Sequence, residues 1–267
     1  MHDFLLGGSI RIAEWKNSLK IFLDSFAKLT AMEKTIILIG LIVSVKLSCF
    51  GQGNDDFLRV KHTADFEISG DGSNRAWASA NWNDLMASEN QNEKTRFKIL
   101  YSDKGLYFFF HNEDKVITAT MTKDFDRLWL EDVNEVFIWP DTTSTIYFEY
   151  EISPLNYELS ILVPNFEGKF LGWIPWEYEG ERKTKHLTSA EGGETKSGSK
   201  VKSWYAEFFI PYALLNPLPN VPPKKGMVWK GNMYRIDYDS GQPKEWSWRK
   251  TDTNFHQYSR YGKMIFE

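Results

Sequence analysis

The chain has 267 residues, of which 42% are hydrophobic and 25% are charged, and 32 basic against 36 acidic side chains give a formal net charge of −4. These values are ordinary for a folded globular protein and argue against a disordered chain. The sequence has no basic stripe, which argues against nucleic acid as a partner, because phosphate binding relies on clustered lysine and arginine. It also has no long heptad run, which argues against a coiled coil.

The first 51 residues have the pattern of an export signal. An uncharged apolar run at 35–45 has the length of a signal-peptide h-region, whereas a membrane-spanning helix needs roughly 20 apolar residues. Met32 opens a compact n-region, so we predict that 1–31 is an upstream extension and that 1–51 comprises this extension and the signal peptide. An amphipathic helix within 1–31 and a buried core segment at 35–45 are the alternatives. We therefore expect an exported protein (periplasmic, at the cell surface or secreted) without a membrane span.

Cys49 is the only cysteine of the chain, so no disulfide can form within it. Its place just after the apolar run leaves two interpretations open. It is either the lipid-attachment residue of a bacterial lipoprotein or part of the signal peptide that is removed. Ser48 suits the position before a lipidated cysteine, whereas Lys46 and Leu47 fit poorly, so we favour removal. In both cases residues 52–267 must be stabilised by burial of a hydrophobic core.

Short segments that alternate between hydrophobic and polar residues follow one another along 52–267, separated by turn residues. The turn at 102–105 between two such segments predicts a β-hairpin. The alternation predicts strands at 96–101, 106–111, 133–139, 147–153, 204–210, 232–238 and 263–266, with a short helix at 212–215. Because no long amphipathic helix separates them, we predict an all-β fold, an antiparallel β-sandwich of the jelly-roll or immunoglobulin-like type, as a single domain over 52–267. The polar stretch 180–200 is expected to be a solvated loop.

Catalytic motifs are weak in this sequence. It has no G-x-S-x-G motif, and its five histidines show no metal-ligand spacing. Paired carboxylates could support glycoside hydrolysis, since Glu149 and Glu151 share one face of a predicted strand while Glu135 and Glu207 lie on others. The polar face of any half-exposed sheet offers the same arrangement, so we expect a protein without enzymatic activity.

Aromatic residues make up 16% of the chain, and several tryptophans lie outside the clearest strands: Trp129, Trp173, Trp176, Trp246 and Trp248. An indole in a loop can receive the C–H face of a sugar ring, while acidic, amide or arginine side chains bind the hydroxyl rim. Trp129 with Glu135 is one such combination, and Trp248 with Phe255 and His256 in the C-terminal loop is another. For any single tryptophan, packing against the rim of the sandwich is the alternative.

Two acidic turns offer oxygen ligands of the kind that calcium prefers, at 237–241 and at 71–74. Neither completes a calcium-loop signature, and Asp, Asn, Ser and Gly also form turns without any ion. The sequence therefore leaves a structural calcium ion open.

The order of several short motifs resembles that of family 9 carbohydrate-binding modules and their exported bacterial relatives. The resemblance covers roughly 57–267 of the chain. The segments that carry it are Ile68-Ser-Gly-Asp-Gly with Trp77, Leu106-Tyr-Phe, Trp129-x-x-Asp132-x-x-Glu135-Val-Phe, Trp204-x-x-Glu207-x-x-Ile210-Pro, Asn232-x-x-Arg235-x-Asp237, Trp246-Ser-Trp248, Phe255-His256 and Tyr261-Gly262.

This resemblance implies a β-sandwich that binds sugars, often the ends of plant polysaccharide chains, with calcium sometimes structural. It implies that Trp129 is one of two rings that clamp the sugar and that Glu135 binds hydroxyl groups. The second ring is expected among Trp246, Trp248 and Phe255, with Arg235 and His256 as further polar contacts. We therefore expect an exported, non-catalytic protein that binds a polysaccharide or oligosaccharide and supports carbohydrate catabolism, with its sugar, companion enzyme and oligomeric state left open.

Two other function classes remain as alternatives. The first is a haem-binding, electron-transfer sandwich of the DOMON type, which needs axial ligands across a pocket, and His111 or His256 with Met121 or Met233 would have to supply them. The second is a glycoside hydrolase that uses Glu149 or Glu207.

Overall fold

The computed structural model of the protein describes residues 57–89, 91–166 and 169–267. The predicted extension, signal peptide, Cys49 anchor and domain boundary after residue 51 all lie outside the described residues. Within this part of the chain, no helix combines the length and the apolar character that crossing a bilayer would require.

Strands dominate the described residues, and the single α-helix is short. The strands are β1 (Phe57–His62), β2 (Asn83–Ala87), β3 (Thr95–Tyr101), β4 (Gly105–Glu113), β5 (Val133–Trp139), β6 (Ile146–Ile152), β7 (Glu158–Phe166), β8 (Lys169–Phe170), β9 (Ile174–Pro175), β10 (Lys185–Glu191), β11 (Ser203–Pro211), β12 (Val228–Asp237), β13 (Lys244–Ser247) and β14 (Gly262–Phe266). The α-helix is α1 (Tyr212–Leu215), and 3-10 turns occupy Arg75–Ser79, Leu128–Leu130, Gly180–Arg182 and Tyr258–Arg260.

The strands form a two-layered antiparallel sandwich, as predicted. One layer has the order β10-β11-β4-β3 and the other the order β14-β12-β5-β6-β7, and β1 joins them by pairing with both β3 and β14. The two β1 pairings are parallel, whereas the other strand pairings described are antiparallel. Strands β2 and β13 pair with each other and connect the layers a second time.

The main core lies between the two layers and is built from alternate residues of the central strands. Phe108 and Phe110 of β4 and Val136 and Ile138 of β5 all belong to this core, and Phe208 of β11 stacks on both phenylalanines. The residues between these face outward, because successive side chains of a strand point to opposite sides of the sheet. On β5, β6 and β12, this outward-facing set is itself partly covered by the Leu128–Leu130 turn and by the C-terminal loop, which is the segment 248–261 between β13 and β14. Together these residues form a second apolar cluster, the outer cluster.

The Ile68-Ser-Gly-Asp-Gly motif and Trp77 bind one buried carboxylate. Glu207 of β11 accepts hydrogen bonds at Oε2 from the backbone N–H groups of Ser69 (2.9 Å), Gly70 (2.7 Å) and Gly72 (3.2 Å), and at Oε1 from the Trp77 indole N–H (2.7 Å). Gly72 has a φ of +70°, and a Cβ there would lie 2.2 Å from a buried ring, so glycine is required. Glu207 is therefore a structural anchor and not the catalytic carboxylate considered above.

The predicted solvated loop at 180–200 is wrong for its middle third. Residues Lys185–Glu191 form β10, which pairs along its whole length with β11. This strand lies at the edge of its layer, so half of its backbone and many of its side chains face water and a polar composition is tolerated. Its polar side chains show no hydrophobic alternation, so the local sequence does not predict the strand.

Candidate functional site

A cleft of about 370 Å³ opens on the outward face of β5, β6 and β12. This volume lies within the range of small-ligand sites in proteins. The cleft is bounded by the turn before β5, by the segment from β8 to β9 and by the C-terminal loop. Its lining residues are Trp129, Glu135, Phe137, Glu149, Glu151, Ile161, Phe170, Trp173, Ile236, Glu245, Thr253, Asn254, Phe255 and His256.

Three glutamates meet at the floor of this cleft because of strand register. Glu135 of β5 lies directly opposite Glu151 of β6, and Glu149 is two residues from Glu151 and so shares its face. All three side chains are buried, with exposures of 3%, 4% and 1% for Glu135, Glu149 and Glu151. Sequence alternation had suggested a half-exposed polar face for the β6 pair, but the loops that cover this sheet remove it from water.

The electrostatics of the floor are unusual for carboxylic acids. Burial raises the pKa of Glu149 to about 8 and raises the pKa values of Glu135 and Glu151 well above their usual range. Repulsion among the neighbouring carboxylates adds to this effect at Glu135 and Glu151. Oε2 of Glu149 and Oε2 of Glu151 are buried without a hydrogen-bond donor from another residue, and the two carboxyl groups bond to each other while one of them is protonated. The floor therefore offers polar atoms that a ligand can engage.

Aromatic rings surround the carboxyl groups. Trp129 is half-buried in the turn before β5, and its indole packs edge-to-face on Trp173 with ring centroids 5.7 Å apart. Phe170 is exposed and stacks on His256 at 4.2 Å, and Phe255 stacks on Tyr234 of β12 at 3.9 Å. Rings of this kind present flat apolar faces next to hydrogen-bonding groups.

His256 joins the aromatic and acidic parts of the cleft. Its Nδ1 lies 2.8 Å from the Tyr147 hydroxyl and 3.7 Å from Oε2 of Glu149. Burial lowers the pKa of His256 to about 4, so the ring is neutral at pH 7. Of the described residues that line the cleft, none is a lysine or an arginine. The described lining of the cleft therefore contains four carboxyl groups and no charged base at neutral pH.

Four of the residues predicted from the sequence lie together at this cleft: Trp129, Glu135, Phe255 and His256. Among the three candidates for a second ring, Phe255 is the one that the structure places there. Trp173 and Phe170 also line the cleft, although the sequence analysis made neither of them a site residue. Their signal was a run of large apolar residues at 170–174, interrupted only by a glycine, that fits neither a core strand nor an ordinary polar loop.

The structure corrects the prediction that Arg235 contacts the ligand. On β12, Tyr234 and Ile236 face the outer cluster, so Arg235 points to the other side and is fully buried. Its guanidinium lies 2.8 Å from Asp237 and 3.1 Å from Asp114, and donates to the Glu113 carbonyl at 2.6 Å. Arg235 therefore neutralises buried acids and cannot reach the cleft.

Trp246 and Trp248 are likewise corrected from cleft residues to core residues. Trp246 lies on β13, where its indole N–H donates to the Glu93 carbonyl at 3.1 Å, and its ring is covered by the Arg235 guanidinium at 4.6 Å. Trp248 packs edge-to-face against Phe97 of β3. Both rings belong to the main core.

One of the haem pairings considered from the sequence is geometrically excluded. His256 lines the cleft, whereas Met233 is buried in the main core on the other face of β12. The two side chains are therefore separated by the sheet and cannot bind one haem iron from two sides.

Asp114, Asp237 and Asp239 bring carboxylate oxygens within 4.8 Å of one another. Together with Arg235 the cluster has three negative charges and one positive charge when ionised. Oδ2 of Asp114 lacks a hydrogen bond because the nearby Arg235 nitrogen is misaligned with it. Carboxylate oxygens and residual negative charge are what calcium prefers. Five of the six oxygens already accept hydrogen bonds from the protein, and the sixth lies beside Arg235, so an ion would compete with these contacts. The second acidic turn does not share this arrangement, since Asp71 instead accepts the N–H of Ser73 and closes its own turn.

The family model described as "Carbohydrate family 9 binding domain-like" matches residues 68–267. The chain belongs to this family. The match includes every strand of the family 9 domain except β1, and it contains the whole lining of the cleft. No curated protein matches the chain significantly.

Solved structures share the fold of this family 9 domain at low sequence identity. A proposed carbohydrate-binding protein from Bacteroides uniformis is 18% identical with a TM-score of 0.66, and the alignment covers 79% of this chain and 98% of that one. A family 9 module from Caldicellulosiruptor kristjanssonii, solved with cellotriose, is 14% identical with a TM-score of 0.57 over 79% of this chain and 94% of that one. A module from the same organism, solved with glucose, is 14% identical with a TM-score of 0.56, over 79% of this chain and 96% of that one.

Proposed function

We propose that this family 9 domain binds a carbohydrate in the cleft on β5, β6 and β12. The observation that carries the proposal is a cleft with tryptophan and phenylalanine rings at its rim and buried carboxyl groups at its floor. The indoles of Trp129 and Trp173 supply apolar faces for the C–H groups of a sugar ring. Glu135, Glu149 and Glu151 supply acceptors and, when protonated, donors for its hydroxyl groups. Structural relatives that were solved with cellotriose and with glucose support this choice of ligand class.

The proposed role is binding without catalysis. Glycoside hydrolysis by paired carboxylates uses one protonated acid and one ionised base or nucleophile. Burial raises the pKa values of Glu135, Glu149 and Glu151 alike, which favours the protonated form of all three in the empty cleft. Stacking and hydrogen bonding of one or two sugar rings correspond to a dissociation constant between roughly micromolar and millimolar.

We further propose that the protein acts outside the cytoplasm in carbohydrate catabolism, as the signal-like sequence at 1–51 suggests. N-terminal sequencing of the protein recovered from its host tests this, and a blocked, lipid-modified Cys49 would favour the anchored form. A start at residue 1 with an intact apolar run would contradict export by a cleaved signal.

Replacing Trp129 by alanine should weaken glycan binding about tenfold or more, because the sugar loses its stacking surface. The melting temperature should change little, since the indole is only half-buried. Calorimetric titration with a panel of soluble oligosaccharides gives the affinity. Trp82→Ala is the matched control, because Trp82 is also half-buried but packs on Phe109, away from the cleft. Equal losses in both variants, or a fall in stability that matches the loss of binding, would contradict the proposal.

We also propose a structural calcium ion at Asp114, Asp237 and Asp239, held by their carboxylate oxygens. Chelation should then lower the melting temperature by roughly 5–10 °C, since a ligand that binds only the folded state stabilises it by mass action. Thermal unfolding with excess chelator and with excess calcium measures the difference. Asp114→Asn should reduce it, whereas Asp71→Asn should not. Identical melting curves with chelator and with calcium would contradict a structural ion.

A further inference from the structure

The cleft has many acidic groups and no basic group to match them, which is unusual for a site that would bind a neutral sugar. Four carboxyl groups line it, and among the described lining residues there is no basic side chain to balance them. The buried Arg235 is committed to Asp114 and Asp237 on the other face of the sheet. His256 contributes no charge near neutral pH, because its pKa is lowered by burial. A ligand with a positive charge would therefore complement these carboxyl groups once they ionise.

Two of these carboxyl groups have an oxygen that no other part of the protein donates to. Oε2 of Glu149 and Oε2 of Glu151 are buried, belong to side chains less than 5% exposed, and receive no hydrogen bond from another residue, although the two carboxyl groups bond to each other while one of them is protonated. Buried polar atoms are normally satisfied, so such atoms at the floor of an open cleft point to a ligand that supplies donors. An ammonium group carries three donors and a positive charge, and it would satisfy both oxygens.

The form of the cleft favours an organic cation over a bare metal ion. Within the described chain, the one group of three acidic or histidine ligands with atoms all within 4.8 Å is Asp114, Asp237 and Asp239, so the cleft glutamates are not gathered into a metal-like cluster. The rings of Trp129, Trp173 and Phe255 beside them suit a ligand with a flat apolar face. The same rings attract a cation that lies over them.

We infer that the cleft recognises an amino sugar with a free amine, such as a 2-amino-2-deoxyhexose in a deacetylated glycan. The ammonium group lies against Glu149 and Glu151, and the sugar ring stacks on Trp129. This inference rests on the proposed carbohydrate-binding function and names its substrate class. A neutral hexose in the same place brings no charge that favours ionisation of these carboxyl groups, and an N-acetylated sugar replaces three donors by one and adds bulk at the floor.

Binding of an amino sugar should release protons from the cleft, whereas binding of a neutral sugar should not. A bound ammonium ion favours ionisation of the carboxyl groups that face it, so protons leave Glu149 and Glu151 when the ligand binds. Calorimetric titrations in two buffers of different ionisation enthalpy reveal such a release as a buffer-dependent heat. Salt should also weaken binding of the amino sugar, because the attraction is between charges.

The test compares three β-1,4-linked tetrasaccharides that differ only in the group on carbon 2: glucosamine, N-acetylglucosamine and glucose (cellotetraose). The measurement is calorimetric titration near pH 6.5, where a sugar amine with a pKa near that of an α-amino group is largely protonated. We expect the glucosamine oligomer to bind about tenfold or more tightly than the other two. Glu151→Gln should remove this preference, while the exposed control Glu67→Gln should retain it.

The possible results distinguish a failure of the amino-sugar preference from a failure of carbohydrate binding itself. Cellotetraose binding as tightly as the glucosamine oligomer, with no effect of Glu151→Gln on their ratio, overturns the amino-sugar inference and leaves carbohydrate binding intact. No binding of any of the three oligomers overturns both. A preference for the glucosamine oligomer that Glu151→Gln leaves unchanged overturns the assignment to this cleft.

Discussion

Replacing Arg235 by leucine should lower the free energy of unfolding by about 3–5 kcal/mol, because removal of one partner leaves buried charges without compensation. Arg235 is fully buried on β12. Its guanidinium contacts both Asp114 and Asp237, and it also donates to the hydroxyl of Thr95 at 3.1 Å. Leucine fills part of the volume but provides none of the positive charge. Urea unfolding monitored by tryptophan fluorescence measures the loss.

A surface arginine provides the matched control for this prediction. Arg59 forms an ion pair with Glu267, but its side chain is about half exposed. Exposed pairs contribute only about 0–1 kcal/mol, so Arg59→Leu should change stability little. Combining Arg235→Leu with Asp114→Asn should recover part of the loss, because one of the unpaired acids is then neutral. If both arginine variants lose stability equally, the loss does not come from buried charge.

The position of Arg235 also shows what strand alternation can and cannot predict. The two alternating sets of β12, Tyr234 with Ile236 and Met233 with Arg235, both contain a large hydrophobic residue. Alternation separates the sets but does not say which one faces the main core. The answer comes from the covering turn and loop, which bury the Tyr234 set on the outer face as well.

The strands with regular alternation were predictable, whereas the edges of the sandwich were not. The predicted segments 133–139 and 147–153 became β5 (Val133–Trp139) and β6 (Ile146–Ile152), and the turn at 102–105 joins β3 to β4. The strands that were not predicted are β1, β2, β7, β8, β9, β10 and β13. Of these, β1, β2 and β13 are short strands at layer junctions, which are held by pairing between distant segments. Such pairing leaves no periodic pattern in the local sequence.

The candidate site was predictable on one side only. Trp129 and Glu135 lie six residues apart, and the turn that ends just before β5 directs both to the cleft. The C-terminal loop offered several aromatic residues, and only its packing shows that Phe255 and His256 line the cleft while Trp246 and Trp248 enter the core. The acidic floor depends on the register between β5 and β6, which brings Glu135 opposite Glu151. The sequence of either strand alone does not show this register, because it depends on how the two strands pair in the folded protein.

Raising the pH should destabilise the protein through the carboxyl groups at the floor of the cleft. Glu149 has an ordinary pKa of 4.5, and burial in the folded protein raises it to about 8. The folded state therefore holds this proton more tightly than the unfolded chain. The stability that the proton provides is complete below about pH 4.5 and is lost as the pH rises toward 8. One such group contributes about 1 kcal/mol for each pH unit in this window.

Other titratable groups determine the pH range in which the contribution of Glu149 to stability is easiest to observe. The pKa of His256 falls from 6.5 to about 4 on folding, so this residue adds stability as the pH rises to 6.5 and opposes the glutamates there. Above pH 6.5 this opposition ends. Asp132, whose pKa is raised to about 8 by burial, acts in the same direction as Glu149 and leaves a residual slope in any single variant. The window from pH 6.5 to 8 is therefore the one to measure.

Glu149→Gln should reduce the slope of unfolding free energy against pH by about 1 kcal/mol per unit between pH 6.5 and 8. Glutamine is nearly isosteric but cannot ionise, so the slope changes even if a buried amide alters the absolute stability. Urea unfolding at several pH values gives the slopes, and Glu67→Gln, whose carboxylate is largely exposed, should keep the slope of the original protein. An unchanged slope in Glu149→Gln would mean that this carboxyl group is already ionised in the folded state. A cationic ligand would then find a charged floor before binding, with no proton to displace.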